Sequence, residues 1–111
     1  MPRQIRHIEV YLPLDDNDGA PFAESKFASF GDQLLSKYGG YTATQRKFPL
    51  RGIWRSEEVV YQDRVMVFSV MDFSTRTEFE TLRQLQSLKT RLKKQFEQLE
   101  ILITLHPIIA I

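Results

Sequence analysis

Cysteine is absent from these 111 residues, and disulfides, thiolate metal sites and cysteine nucleophiles are excluded with it. Long apolar runs are missing too. None reaches the roughly 18 residues of a membrane-spanning helix, and the opening MPRQIRHIEV lacks the apolar segment of a secretory signal. No excess of one charge exists either: fifteen basic and fourteen acidic residues leave a net +1, which favours neither nucleic acid nor an acidic partner. The phosphate-cradling G-x-G-x-x-G and Walker patterns, H-E-x-x-H and G-x-S-x-G do not occur. What remains is 42% hydrophobic and 26% charged, the composition of a globular chain. We expect a single soluble, cytoplasmic domain spanning residues 1–111, with one core.

Alternation organises the first element. Ile8, Val10 and Leu12 interleave with His7, Glu9 and Tyr11, so residues 5–13 read as a strand with its apolar side on the core. The polar cluster DDNDGAP ends it. Its aspartates do not have the spacing of a calcium loop, so a solvated turn is expected, with Asp18 as a helix cap. Ala23, Phe27, Phe30, Leu34 and Tyr38 then recur at helical spacing over residues 21–38, and Gly39 and Gly40 stop the helix. Residues 41–55 mix strand formers with Pro49 and Gly52, the pattern of an interrupted edge strand. Residues 59–72 predict a hairpin or one kinked strand with a polar break at Gln62 and Asp63. Thr75 and Glu78 have the spacing of a capping box, and open a second stripe at Phe79, Leu82, Leu85, Leu88, Leu92 and Phe96 within a helix over 76–97. A last strand is expected from Leu99 to Leu105, before Pro107 and an apolar tail.

That order is the split βαβ of ferredoxin-like α+β folds: βαββαβ, an antiparallel sheet with two helices on one face and strand order 4-1-3-2. The other face would be open, yet the third strand reads RVMVFSVM and the last LEILITL, apolar at nearly every position. Placing Val65, Val67 and Met71 inside leaves Met66, Phe68 and Val70 outside. A second copy of the chain is the expected cover, as a homodimer through the sheet face, with the tail after Pro107 extending onto the partner. The arrangement resembles the dimeric α+β barrel proteins.

In this topology the start of the first strand lies beside the end of the last. His7 and His106 therefore come within reach of each other, with Glu9 next along the same face. Two imidazoles and a carboxylate can serve as acid and base, and are also the ligand set of a non-haem iron site. His7, Glu9 and His106 are the candidate catalytic residues, and no metal is assigned. The ordinary alternative is a solvated or interface pair.

Three resemblances bear on function. RHIEVYLPL followed by FASFGDQLLSKYGG resembles the first module of vicinal oxygen chelate proteins, which implies a metal-binding histidine at His7. That family repeats a βαβββ module, whereas this sequence has a long helix and one strand in the second module's place. The βαββαβ order, with Tyr11 and Phe68 on the sheet, is similar to the RNA recognition motif, and implies base stacking beside the basic hairpin of Arg46, Lys47, Arg51 and Arg55. Phe27 and Phe30 ahead of a hairpin with Phe48, Pro49, Gly52 and Trp54 resemble small ferredoxin-like proteins, which implies a fold only. The function expected is a homodimeric small-molecule-binding or regulatory module in preference to an enzyme, with a pocket near Tyr11, Trp54, Met66 and Phe68. The alternatives are a small enzyme using His7, Glu9 and His106, and nucleic-acid binding through the basic hairpin.

Overall fold

The computed structural model describes residues 2–111. Its elements run β1 (Arg3–Pro13), α1 (Glu24–Tyr38), β2 (Thr42–Ala43), β3 (Leu50–Ser56), β4 (Val59–Asp72), α2 (Glu78–Gln95) and β5 (Leu102–Ala110). The sheet order is β2-β4-β1-β5, and every pairing is antiparallel. β3 shares the outer edge of β4 with β2, so the interrupted edge strand is two short strands on one long neighbour. This is the expected α+β fold, with β1 at the centre. No helix among the described residues is long and apolar enough to cross a membrane.

The core lies between one sheet face and the two helices. Ile8, Val10 and Leu12 of β1 meet Phe27, Phe30 and Leu34 of α1 and Leu85 and Leu92 of α2, with Phe96 and Ile101 closing one end. Phe68 sits among aromatic rings, edge-on to Phe30 at 5.1 Å and near Tyr41 at 5.7 Å. Each such side chain contributes about 1.5–3 kcal/mol through burial, which the helices supply without a second sheet.

Several expectations change here. Met66, Phe68 and Val70 face the helices, and Val65, Val67 and Met71 face outward, the reverse of the assignment from sequence. The pairing decides it: Leu12 lies opposite Met66, Val10 opposite Phe68 and Ile8 opposite Val70, and residues directly opposite share a face. β4 is one unbroken strand of 14 residues, and Gln62 and Asp63 pair with β3 instead of interrupting it. β5 starts later and runs on through Pro107 to Ala110, which pairs with Arg3. Proline is tolerated because β5 is an edge strand, and the tail completes this sheet instead of reaching for a partner.

The helix ends also differ from expectation. Asp18 does not cap α1. Asp16 instead closes the preceding turn, its carboxylate accepting the amides of Asp18 and Ala20, each at 2.9 Å, around Gly19 at φ 86°. Ala23 holds the cap position without a side-chain bond. Gly39 ends α1 in the left-handed conformation, its amide donating to the Leu35 carbonyl. The cap of α2 is Thr77, whose Oγ1 accepts the Glu80 amide at 3.1 Å, two residues after the expected box. The buried stripe is accordingly Thr81, Leu85, Leu88, Leu92 and Phe96, while Phe79 and Leu82 are exposed.

Candidate functional site

The face of the sheet away from the helices carries three aligned rows of side chains. β1 contributes His7, Glu9 and Tyr11 down the middle. Directly across on β5 stand His106, Thr104 and Leu102, and across on β4 stand Met71, Ser69 and Val67. The register makes the polar centre: the two histidines oppose one another, and Glu9 lies one row along from both.

The geometry there is close. His7 Nδ1 and His106 Nε2 are 3.4 Å apart, with the rings edge to face at a centroid distance of 5.0 Å. One potential ligand atom from each of His7, Glu9 and His106 can be chosen so that all three lie within 4.8 Å of one another. His7 and Glu9 are half-buried and His106 is exposed, so the cluster is open to incoming molecules on one side. Thr104, directly opposite Glu9, has its hydroxyl withdrawn from water and without a hydrogen-bond partner among the described residues. Buried hydroxyls are normally paired, so this one is available to a neighbour that moves or arrives.

The remaining sequence candidates separate. Tyr11 shares the outer face, next to Glu9 along β1. Trp54 stands on the β3–β4 hairpin, past the end of β1, stacked on Tyr61 at 4.4 Å with its Nε1 donating to Asp63 Oδ2 at 2.7 Å. Met66 and Phe68 are 4% and 3% exposed in the core, so neither can line a pocket on the outer face. The same burial removes Phe68 as a base-stacking partner for Tyr11, and the aromatic platform of an RNA recognition motif is not formed. Arg46 of the basic stretch is held internally, donating to the Phe22 carbonyl at 2.6 Å and lying over the Phe27 ring.

A concavity of about 540 Å³ opens elsewhere, beside the start of α2, lined in part by Arg3, Arg6, Ser74, Thr75, Arg76 and Glu78. Beneath it Asp72, 3% exposed, lies 3.9 Å from Arg6 and 3.6 Å from Arg76, and accepts the Ser74 amide at 3.0 Å. Burial and then the Asp72 charge push the Tyr38 phenol above its ordinary pKa. Burial, with Arg76 and Arg91 nearby, lowers the Lys37 ammonium. Sequence reading missed this group. Its members are scattered over four elements and loops, and only Asp72, a charge closing an apolar strand, was a signal.

No protein-family model matches the chain, and no curated protein matches its sequence. Solved structures do match. A phage SAM lyase in complex with S-methyl-5'-thioadenosine is similar with a TM-score of 0.64 and 11% identity, over 96% of this chain and 90% of that one. A phage SAM lyase in its apo state is similar with a TM-score of 0.67 and 11% identity, over 97% of this chain and 86% of that one. At this identity the likeness is one of fold. It tells against the preference for a binding module over an enzyme, because both matched structures are of a lyase.

Proposed function

We propose that the chain is an enzyme acting on a small sulfonium nucleoside of the S-adenosylmethionine class, with its site on the outer sheet face. The near full-length fold match to a SAM lyase carries this reading. The cluster of His7, Glu9 and His106 supports it, because it gathers on that face the side chains able to bind a polar substrate end and to exchange protons. Tyr11, beside Glu9, offers an aromatic surface of the kind that attracts cationic groups such as a sulfonium.

The chemistry asked of such a site is modest. The sulfonium is already a good leaving group: when one carbon–sulfur bond breaks, sulfur keeps the electron pair and departs as a neutral thioether. The carbon fragment then closes on its own carboxylate or gives up one proton to a base. No oxidant, reductant or water is consumed. A second copy of the chain remains part of the proposal, covering the apolar side chains at the two ends of the face, where Leu102 beside Tyr11 and Met71 beside His7 are 55% and 43% exposed. Sedimentation should then give twice the mass of the 13.0 kDa chain.

The test is to incubate purified protein with S-adenosylmethionine and follow S-methyl-5'-thioadenosine by chromatography. We expect product to accumulate with time and enzyme, and to fall at least about a hundredfold in Glu9→Gln and His7→Ala, the smallest loss usual when a catalytic proton-transfer group is removed. Intact substrate after prolonged incubation with folded protein would reject the reading.

A further inference from the structure

We propose that His7, Glu9 and His106 together bind one divalent first-row transition-metal ion, with open coordination positions that take an α-amino-carboxylate. The first part stands on geometry. Two nitrogen ligands about 2.05 Å from a tetrahedral ion are about 3.3 Å apart, and His7 Nδ1 and His106 Nε2 are already 3.4 Å apart. One ligand atom from each of the three residues can be chosen so that all lie within 4.8 Å of one another, so a side-chain rotation that draws the Glu9 carboxylate in would complete a face of three ligands.

The donor set suits the assignment. Two neutral imidazoles and one carboxylate favour zinc, iron, cobalt or nickel over the all-oxygen environments of magnesium and calcium. Three ligands from one flat surface leave the opposite side of the ion free. Ligands sit on two hydrogen-bonded strands, which fixes the histidine pair by register instead of by a loop. Thr104 supplies a supporting contact, since its unpartnered hydroxyl lies directly opposite Glu9 and can donate to the carboxylate once that group turns to the ion.

The second part, the ligand of the open positions, rests on the proposed substrate class. An amino-acid end offers an amine and a carboxylate in a five-membered chelate, which would anchor the substrate without engaging its sulfonium.

Cobalt(II) is the probe, titrated into protein cleared of metal by chelator. We expect visible ligand-field bands saturating at one equivalent, and a raised unfolding temperature with cobalt or zinc. His7→Ala and His106→Ala should each weaken binding at least about tenfold, with far-ultraviolet circular dichroism reporting their folding. The near-isosteric Glu9→Gln guards against misfolding as the cause. Thr104→Val should weaken binding and Thr104→Ser should retain it, which separates a positioning hydroxyl from packing. Adding methionine should shift the bands, and N-acetylmethionine should not. Absence of bands and of thermal stabilisation, or unchanged binding in both histidine variants, overturns the cation site. Bands that ignore methionine overturn the chelate. Cleavage of S-adenosylmethionine by protein that binds no cobalt removes the metal and leaves the lyase reading standing. Cobalt binding without cleavage does the opposite.

Discussion

β4 passes through two different environments in one strand. From Met66 to Asp72 every second side chain is buried, and the backbone is paired on one side to β1 along its length. From Val59 to Arg64 all side chains are exposed, the only sheet partner among the described residues is β3, and Ile53, Trp54, Val60 and Tyr61 lie uncovered on an arm. The two halves share valines and an aromatic, but Gln62, Asp63 and Arg64 make the outer half the more polar. What differs further is that helices lie above the inner half alone. Strand pairing alone therefore holds the arm, while pairing plus burial holds the body, and only the body can fix side chains to the tolerance a site needs.

The largest expected effect tests the body. Phe68→Ala should cost about 3–5 kcal/mol in urea unfolding, a large share of the total stability of a small domain. Thr77→Ala removes the α2 cap and should cost about 1 kcal/mol, also in global unfolding. In the arm, Trp54→Ala should cost under about 1 kcal/mol globally, because the Tyr61 stack it breaks is half in water. Its effect should appear instead as faster hydrogen exchange confined to the β3–β4 hairpin. If Trp54→Ala destabilises the whole chain as Phe68→Ala does, the arm is not separate and the contrast fails.

The smallest expected effect lies at the junction. Asp15 accepts two hydrogen bonds from Arg64, where the two halves of β4 meet. That side-chain bond, opposed by burial and aided by the Arg64 charge, holds the Asp15 carboxyl below the usual carboxylate range. A depressed folded pKa adds stability above the unfolded value, and that stability is lost as pH falls through the folded one. Asp15→Asn should therefore cost under about 1 kcal/mol at neutral pH, since its Arg64 partner is solvent-exposed, and the difference from wild type should vanish in acid. A difference that persists at low pH would assign the effect to packing.

Legibility followed the same division. Strand β1 was readable because polar and apolar residues alternate strictly from His7 to Leu12, and β1–β5 adjacency followed from topology, which brought His7 and His106 together on paper. The inward face of β4 was not readable, since V-M-V-F-S-V-M is apolar at both parities. Ser69 in the outward set was the weak clue. On α2, Phe79 and Leu82 fitted the helical period as well as Thr81 does, and a threonine does not advertise burial. The residue-level roles of the cluster are not encoded in any local pattern, because His7 and Glu9 at alternate positions read equally as the wet side of a strand.

His7 and His106 are 99 positions apart, yet face each other across one ladder. No short fragment of the chain holds both, and no local turn brings them together. During synthesis the central strand β1 is made first, but its β5 partner comes only after both helices and the arm, so the outer-face cluster is among the last features to exist. Closing so long a loop slows folding through its entropy more than it lowers final stability. Anything that binds across the pair consequently recognises the completed fold and nothing short of it, and draws the folding equilibrium toward that state by mass action.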